Sequence, residues 1–259
     1  MILPFYKYHG TGNDFIMIDN RPGFFDITDT DLIASLCARH TGIGADGLIT
    51  LEPSGKYDFA MRYFNADGRE STMCGNGGRC IVAFANKLGI IESKTEFEAV
   101  DGLHRAEIHG DTIRLLMKEV EKPGLLEQGD VFLDTGSPHH VRFVDNLRDL
   151  PVYELGRKIR YGMYGTAGSN VNFVETGPNG ILRIRTYERG VENETLSCGT
   201  GVTAAAIAAF ETGRINRTPV ELHTPGGILK VFFTKENSSY REVWLEGPAT
   251  GVFYGKIEI

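Results

Sequence analysis

A thiol at the head of a glycine-rich turn is a candidate acid, base or nucleophile. This sequence of 259 residues holds two, Met73-Cys74-Gly75-Asn76-Gly77 and Ser197-Cys198-Gly199-Thr200-Gly201. Each turn leads into a segment with little charge on any face, 81–88 and 202–210, as expected of a helix buried nearly all round. A helix starting there turns its unpaired N–H groups and partial positive charge toward the turn, which suits an anion. A thiol in that field has its pKa lowered from about 8.5 toward neutrality. One such turn binds an anion or holds a nucleophile. A facing pair does something more specific: both helix starts grip one carboxylate while the sulfurs approach the adjacent carbon from opposite sides. One thiolate then removes the α-proton, the other thiol returns a proton to the opposite face, and the stereocentre is inverted.

Three other uses of the pair compete. A redox couple needs sulfurs in bonding contact and usually a close C-x-x-C. Cysteine-nucleophile hydrolysis needs a histidine partner, for which His139 is the candidate. Inert packing is the bland reading, against which two Cys-Gly-x-Gly helix starts are costly choices.

The two turns belong to an internal repeat. A shift of 124 residues superposes Cys74 on Cys198, Gly75 on Gly199, Gly77 on Gly201 and Gly89 on Gly213. It also places Thr11-Gly12 on Thr135-Gly136 and Gly44 on Gly168. Solenoid repeats have periods of roughly 20–50 residues, so two copies of one domain are expected instead, with facing surfaces that make one cleft.

The chain is long enough for one large domain or two smaller ones. With 41% apolar and 24% charged residues it has the composition of a soluble globular protein. A net charge of −7 and the lack of any Lys/Arg run argue against a nucleic-acid partner. The most apolar stretch, 202–210, is far short of the roughly 20 residues that span a bilayer. The first ten residues lack a basic region and a cleavable apolar core, so a cytoplasmic chain is expected. The cysteines at 37, 74, 80 and 198 form no tandem C-x-x-C, which argues for free thiols and against zinc.

Leu32, Ile33, Leu36 and Cys37 recur at helical spacing after the capping-type residues 28–31, predicting an amphipathic helix that ends near Thr41-Gly42. The stretch 153–161 also reads helical. Strands are expected at 15–18, 48–51, 59–64, 112–117, 141–144, 171–174, 182–187, 229–233 and 253–259. Cys37 and Cys80 fall on apolar helical faces, as packing residues. The expected fold is α+β, with two pseudo-symmetric domains, each a curved, mostly antiparallel sheet wrapped around a central apolar helix, and an active site in the cleft between them. Pro123-Gly124 marks the linker. The N-terminal half covers 1–120 and carries Cys74; the C-terminal half covers 121–248 and carries Cys198. The tail, about 249–259, is expected to return to the first half as an added strand.

Gly42-Ile-Gly44-Ala-Asp-Gly47 spells G-x-G-x-x-G, but a dinucleotide site needs a strand before it and a helix after it. Here a helix precedes and a strand follows. No G-x-x-x-x-G-K-[ST] occurs either. Chemistry without a cofactor is expected.

Seven motifs in order, spread over nearly the whole chain, resemble diaminopimelate epimerase. They are His9-Gly-Thr-Gly-Asn13-Asp-Phe15, Phe64-Asn65-Ala-Asp-Gly68, Cys74-Gly-Asn-Gly77, Gly136-Ser-Pro-His139, Asn170-Val-Asn-Phe173, Tyr187-Glu188-Arg189-Gly190 and Cys198-Gly-Thr-Gly201. The resemblance implies a cofactor-independent isomerase that interconverts LL- and meso-diaminopimelate for lysine and cell-wall precursor synthesis. It implies Cys74 and Cys198 as the acid/base pair. Gly75, Asn76, Gly199 and Thr200 match positions that bind the reacting carboxylate through backbone amides. Asn13, Asn65, Asn170, Glu188 and Arg189 match the remaining substrate contacts, and His139 and Glu188 match positions that tune the thiols. No metal is implied, the partner is the small-molecule substrate, and a homodimer is suggested. Two departures bear on the distal end of the substrate: Ser137 stands where many members have Asn, and Gly47 where some carry Gln. A proline or hydroxyproline racemase is the alternative enzyme, opposed by Asn76 and by the Glu188-Arg189 pair. A binding protein of the same fold is the non-enzyme alternative.

Overall fold

The computed structural model describes residues 1–259. In chain order its first elements are β1 (Ile2–Gly10), β2 (Asn13–Asp19), α1 (Thr30–Cys37), β3 (Gly47–Glu52), β4 (Phe59–Asn65), β5 (Glu70–Ser71) and α2 (Gly75–Lys87). There follow β6 (Lys94–Ala99), β7 (Gly102–His109), β8 (Thr112–Leu116), β9 (Gly124–Leu125), β10 (Val131–Asp134), β11 (Pro138–Phe143) and α3 (Val152–Tyr164). The chain closes with β12 (Asn170–Thr176), β13 (Leu182–Glu188), β14 (Asn193–Thr195), α4 (Gly199–Glu211), β15 (Val220–Thr224), β16 (Gly227–Glu236), β17 (Ser239–Pro248) and β18 (Thr250–Glu258). The fold is α+β. No helix is long and apolar enough to cross a membrane.

Two compact units emerge, Met1–Leu115 with Gly247–Ile259, and Leu116–Glu246. In the first, β1 pairs antiparallel with β2, β2 parallel with β3, β3 antiparallel with β4, and β4 parallel with β6. Antiparallel β6–β7 and β7–β8 pairs complete it. The second unit runs β10, β11, β12, β13, β15, β16, β17 with the same alternation of pairings. The 124-residue repeat is therefore a repeat of sheet topology. Even the edges correspond: β18 lies antiparallel to β1 from Ile2 opposite Glu258 to His9 opposite Thr250, and the short β9 takes the same place beside β10.

The repeat's glycines share backbone conformations. Gly12 and Gly136, Gly44 and Gly168, and Gly89 and Gly213 all have positive φ, which other residues adopt only under strain. The last pair stops the two central helices one residue after Leu88 and Thr212, as left-handed C-terminal residues commonly do.

The central helix of each unit is buried almost all round. In α2 the core face carries Cys80, Ile81, Val82, Phe84 and Ala85, and in α4 Val202, Ile207 and a run of alanines. Each Ile, Val or Phe removed from water contributes roughly 1.5–3 kcal/mol. The alanines of α4 let the surrounding strands approach closely, and the glycines of α2 do the same. A Cβ on Gly77 would lie 2.9 Å from Ile49 Cδ1 of β3, and one on Gly78 2.9 Å from Leu115 Cδ2 of β8.

One helix ends earlier than its sequence predicts. α1 stops at Cys37 rather than near Gly42, because Ala38 is extended and the chain folds back over the helix end. Ile43 and Gly44 both donate backbone N–H groups to Leu36 O, satisfying a carbonyl that α1 leaves open. Gly42 is required there, since a Cβ would lie 2.1 Å from Ser35 O. The G-x-G-x-x-G run thus joins a helix to a strand, the order expected of a structural turn.

Candidate active site

Cys74 and Cys198 are the N-cap residues of α2 and α4. Both have extended backbone conformations, and neither side chain caps its own helix. The first helical bonds run from Gly78 N to Cys74 O and from Val202 N to Cys198 O. Helical pairing therefore begins at the fourth residue, and the first-turn amides of 75–77 and 199–201 find no acceptor within their helices. Cys74 is half-buried and Cys198 buried, and none of the four cysteines is in a disulfide. Burial pushes the Cys37 thiol up to about 11 and the Cys80 thiol up to about 12, so these two are packing residues.

In the first unit three expected site residues come together. Asn13, at the start of β2, accepts from Cys74 Sγ (3.7 Å) and from Asn76 Nδ2 (3.3 Å) through Oδ1. Its Nδ2 donates to Asp46 Oδ2 at 2.8 Å. Asp46 and Asp14 are both held by Arg39, and Asp14 is 2.8 Å from Lys7 Nζ. Burial alone would raise the Asp14 pKa, but hydrogen bonds from Arg39 and Lys7 hold it below the usual carboxylate range. Asn65 sits at the end of β4 and is exposed, with its backbone closing the turn to Gly68 and Arg69. It lies opposite Gly47. A Cβ at 47 would meet Phe64 O at 2.5 Å and the Tyr63 ring at 2.6 Å, so no longer residue fits there unless both the β4 backbone and the Tyr63 ring move.

Arg79 was not expected as a site residue. It is fully buried one turn into α2, and burial lowers its pKa. Its guanidinium donates to Gly75 O, Asn76 Oδ1, Thr11 Oγ1 and Pro248 O. These bonds fix the Asn76 amide and pin the turn that carries Cys74. Gly10 leaves room for them, since a Cβ there would lie 2.9 Å from Asn76 O.

In the second unit a denser set converges on Cys198. Its Sγ is 3.4 Å from Thr200 Oγ1, which is 3.4 Å from Ser137 Oγ, which is 3.0 Å from His139 Nε2. His139, on β11, is buried, and burial pushes its pKa down to about 3, so the imidazole is neutral. Asn170 and Asn172, two residues apart on β12, share the face beside it. Asn170 Nδ2 donates to Ser137 Oγ and Pro138 O, and its Oδ1 accepts from Arg189 N. Asn172 Nδ2 donates to His139 Nδ1 and His140 O. Glu188 ends β13 and accepts from Thr195 Oγ1 at 2.8 Å. Arg189 is exposed, with Nη1 donating to Ala167 O.

The profile of the diaminopimelate epimerase family matches residues 5–122 and 131–252. The chain belongs to the diaminopimelate epimerase family. It is 57% identical over 250 residues to a diaminopimelate epimerase of Flavobacterium psychrophilum, covering 96% of this chain and 97% of that one. It is 45% identical over 259 residues to one of Chlorobaculum tepidum, covering 96% and 99%. Family membership makes the chain an isomerase. Among solved structures, a Bacillus anthracis phenazine biosynthesis protein of the PhzF family superposes with TM-score 0.75 at 16% identity, each chain covered in full. A hydroxyproline epimerase of Agrobacterium vitis superposes with TM-score 0.70 at 17% identity, covering 99% and 92%. At such identities the family shares a fold with these proteins and nothing more is implied.

Proposed function

We propose that this chain interconverts LL- and meso-diaminopimelate by a two-base mechanism that needs no cofactor, with Cys74 and Cys198 as the bases. The observation that carries the reading is that both cysteines are N-caps of glycine-opened, buried helices at equivalent places in two topologically matched units. A thiolate takes the α-proton, and the electron pair left on the carbon spreads into the adjacent carboxylate. The first-turn amides of Gly75 and Asn76 and of Gly199 and Thr200 bind that carboxylate, where the helix dipoles favour the extra charge. The other thiol gives its proton to the opposite face, and the two cysteines end with protonation states exchanged.

Asn13, Asn65, Asn170, Glu188 and Arg189 complete the substrate contacts in this reading. The Arg189 guanidinium suits the distal carboxylate, which it can meet with two parallel hydrogen bonds. Glu188 suits an ammonium group, and His139 acts on Cys198 through hydroxyl groups. The same reading places the enzyme in lysine and cell-wall precursor synthesis, in the cytoplasm, as a homodimer. Replacing either cysteine tests it. Cys74→Ala and Cys198→Ala should each lower kcat by about 10²–10⁴-fold, the usual worth of an acid or base, with an unchanged circular dichroism spectrum. Undiminished turnover in either variant would sink the two-base reading.

A further inference from the structure

We propose that the ion pair of buried Arg160 with Glu192 positions Arg189, and so sets how tightly the enzyme holds the end of the substrate that does not react. This inference rests on the proposed function above, in which the Arg189 guanidinium meets the distal carboxylate.

Arg189 is exposed, and a long side chain free in solvent loses much rotamer freedom when it grips a carboxylate. Two turns reduce that loss by holding it beforehand. One is its own turn, 188–192 between β13 and β14, closed by the Glu192 N–H donating to Glu188 O at 2.8 Å. The other, 165–169 between α3 and β12, supplies Ala167 O, which accepts from Arg189 Nη1 at 3.0 Å. Asn170, which follows that turn, accepts from Arg189 N through Oδ1 at 2.8 Å. The β12–β13 pairing ends at Val171 opposite Tyr187, so both turns lie past the last paired residues. The reach of the guanidinium therefore depends on what ties the two turns together.

Arg160, a buried residue of α3, touches both. Its Nη1 donates to Gly165 O at 2.7 Å and its Nε to Glu192 Oε1 at 3.0 Å. The guanidinium rests against Gly168, where a Cβ would lie 2.4 Å from Cζ, and against the Tyr161 ring, whose centroid is 4.3 Å from Cζ. Glu192 grips the second turn from below: Oε1 also accepts from Gly190 N at 3.2 Å, and Oε2 accepts from the Tyr187 hydroxyl at 3.1 Å. Burial alone would raise the Glu192 pKa, but these donors hold it below the usual carboxylate range, so the pair is ionic. Glu192 makes its contacts from a left-handed backbone, φ 56°, which residues other than glycine rarely adopt. Glycine would close the turn more easily, so a carboxylate kept in this conformation has a task beyond closing it. Arg160 and Glu192 both act through Arg189 and are positioning residues.

The test is steady-state kinetics with diaminopimelate on the full-length enzyme and on Arg160→Gln, Glu192→Gly and Glu192→Gln, each also built on Arg189→Ala. The distal end is held alike in substrate and transition state, so a misplaced Arg189 should raise KM and leave kcat little changed. Arg160→Gln and Glu192→Gly should each raise KM by about tenfold, the worth of one hydrogen bond to a charged group. Glu192→Gln keeps an acceptor oxygen for Arg160 and Gly190 and should bring KM back near the native value. In the Arg189→Ala background none of the three should raise KM further, because the group they position is gone. A second readout needs no turnover: in Arg160→Gln the backbone amides of 165–169 and 188–192 should exchange hydrogen faster than in the native protein. Native KM in Arg160→Gln and Glu192→Gly, equal rises with and without Arg189, or unchanged exchange would each overturn the inference even where Arg189→Ala raises KM. Native KM in Arg189→Ala itself would remove the distal contact assigned to Arg189, and the inference would fall with that reading.

Discussion

Gly201 lacks a Cβ where Asn172 Oδ1 needs the space: the atom would lie 2.4 Å from that oxygen and 3.4 Å from Cys198 Sγ. The first turn of α4 therefore rests directly on the amide that orients His139.

Gly201→Ala is a sharp probe of that contact. In an exposed helix interior the change stabilises by about 1 kcal/mol, because alanine is the better helix former. Here it should destabilise, by roughly 1–3 kcal/mol as other overpacked core substitutions do, and lower kcat because Asn172 is displaced. Urea denaturation and steady-state kinetics measure the two effects. A more stable variant with native kcat would contradict the packing described.

His139 makes stability depend on pH with a definite sign. In the unfolded chain it takes a proton near its ordinary value of 6.5, and in the folded protein only near 3. Between those values the unfolded state binds more protons, so stability is fully present above pH 6.5 and falls as pH drops toward 3. Asp14, held low by Arg39 and Lys7, adds a loss beginning in the ordinary carboxylate range and running to lower pH. In His139→Gln the slope between pH 6.5 and 4.5 should be shallower than in the native protein. Parallel stability curves from urea titrations would count against a buried neutral imidazole.

The four thiols should separate into two classes. Cys37 and Cys80 are buried, with thiols pushed up to about 11 and about 12, so neither should be alkylated at pH 8 in the folded protein. Cys74 and Cys198 should react, and all four should react in urea. Modification of Cys80 in the folded state would contradict the packing of α2.

The parts of this architecture that repeat were legible in the sequence. Cys74 and Cys198 sit at equal offsets among glycines whose positive φ values are local requirements, and the apolar runs after them have no polar face to present. β1, β6, β7, β10, β15, β17 and the short β5, β9 and β14 do not stand out as strands in the sequence: Lys94–Ala99 has only Phe97 as a large apolar residue, and Ser239–Pro248 mixes polar residues into both faces. The supporting residues were harder still. Arg79 follows two glycines at the start of a helix, where a charged side chain ordinarily points to solvent, and Asp46 lies within a run that reads as a loop. Asn172 offered the one available signal: two asparagines at spacing two, in a strand otherwise apolar at Val171, Phe173 and Val174, must put buried amides on one face. Which way those amides point depends on acceptors some thirty residues away in sequence, and no local pattern encodes that.

The central claim is that two bases serve one carbon, and isotope incorporation tests it most directly. LL-diaminopimelate is incubated with the enzyme in heavy water, and deuterium is followed in both isomers at early times. Two bases should place deuterium mainly in the inverted product, because the acid that delivers the proton is not the base that removed it. Deuterium entering recovered LL substrate as fast as, or faster than, inversion occurs would mean that one shared base does both, and would contradict the account.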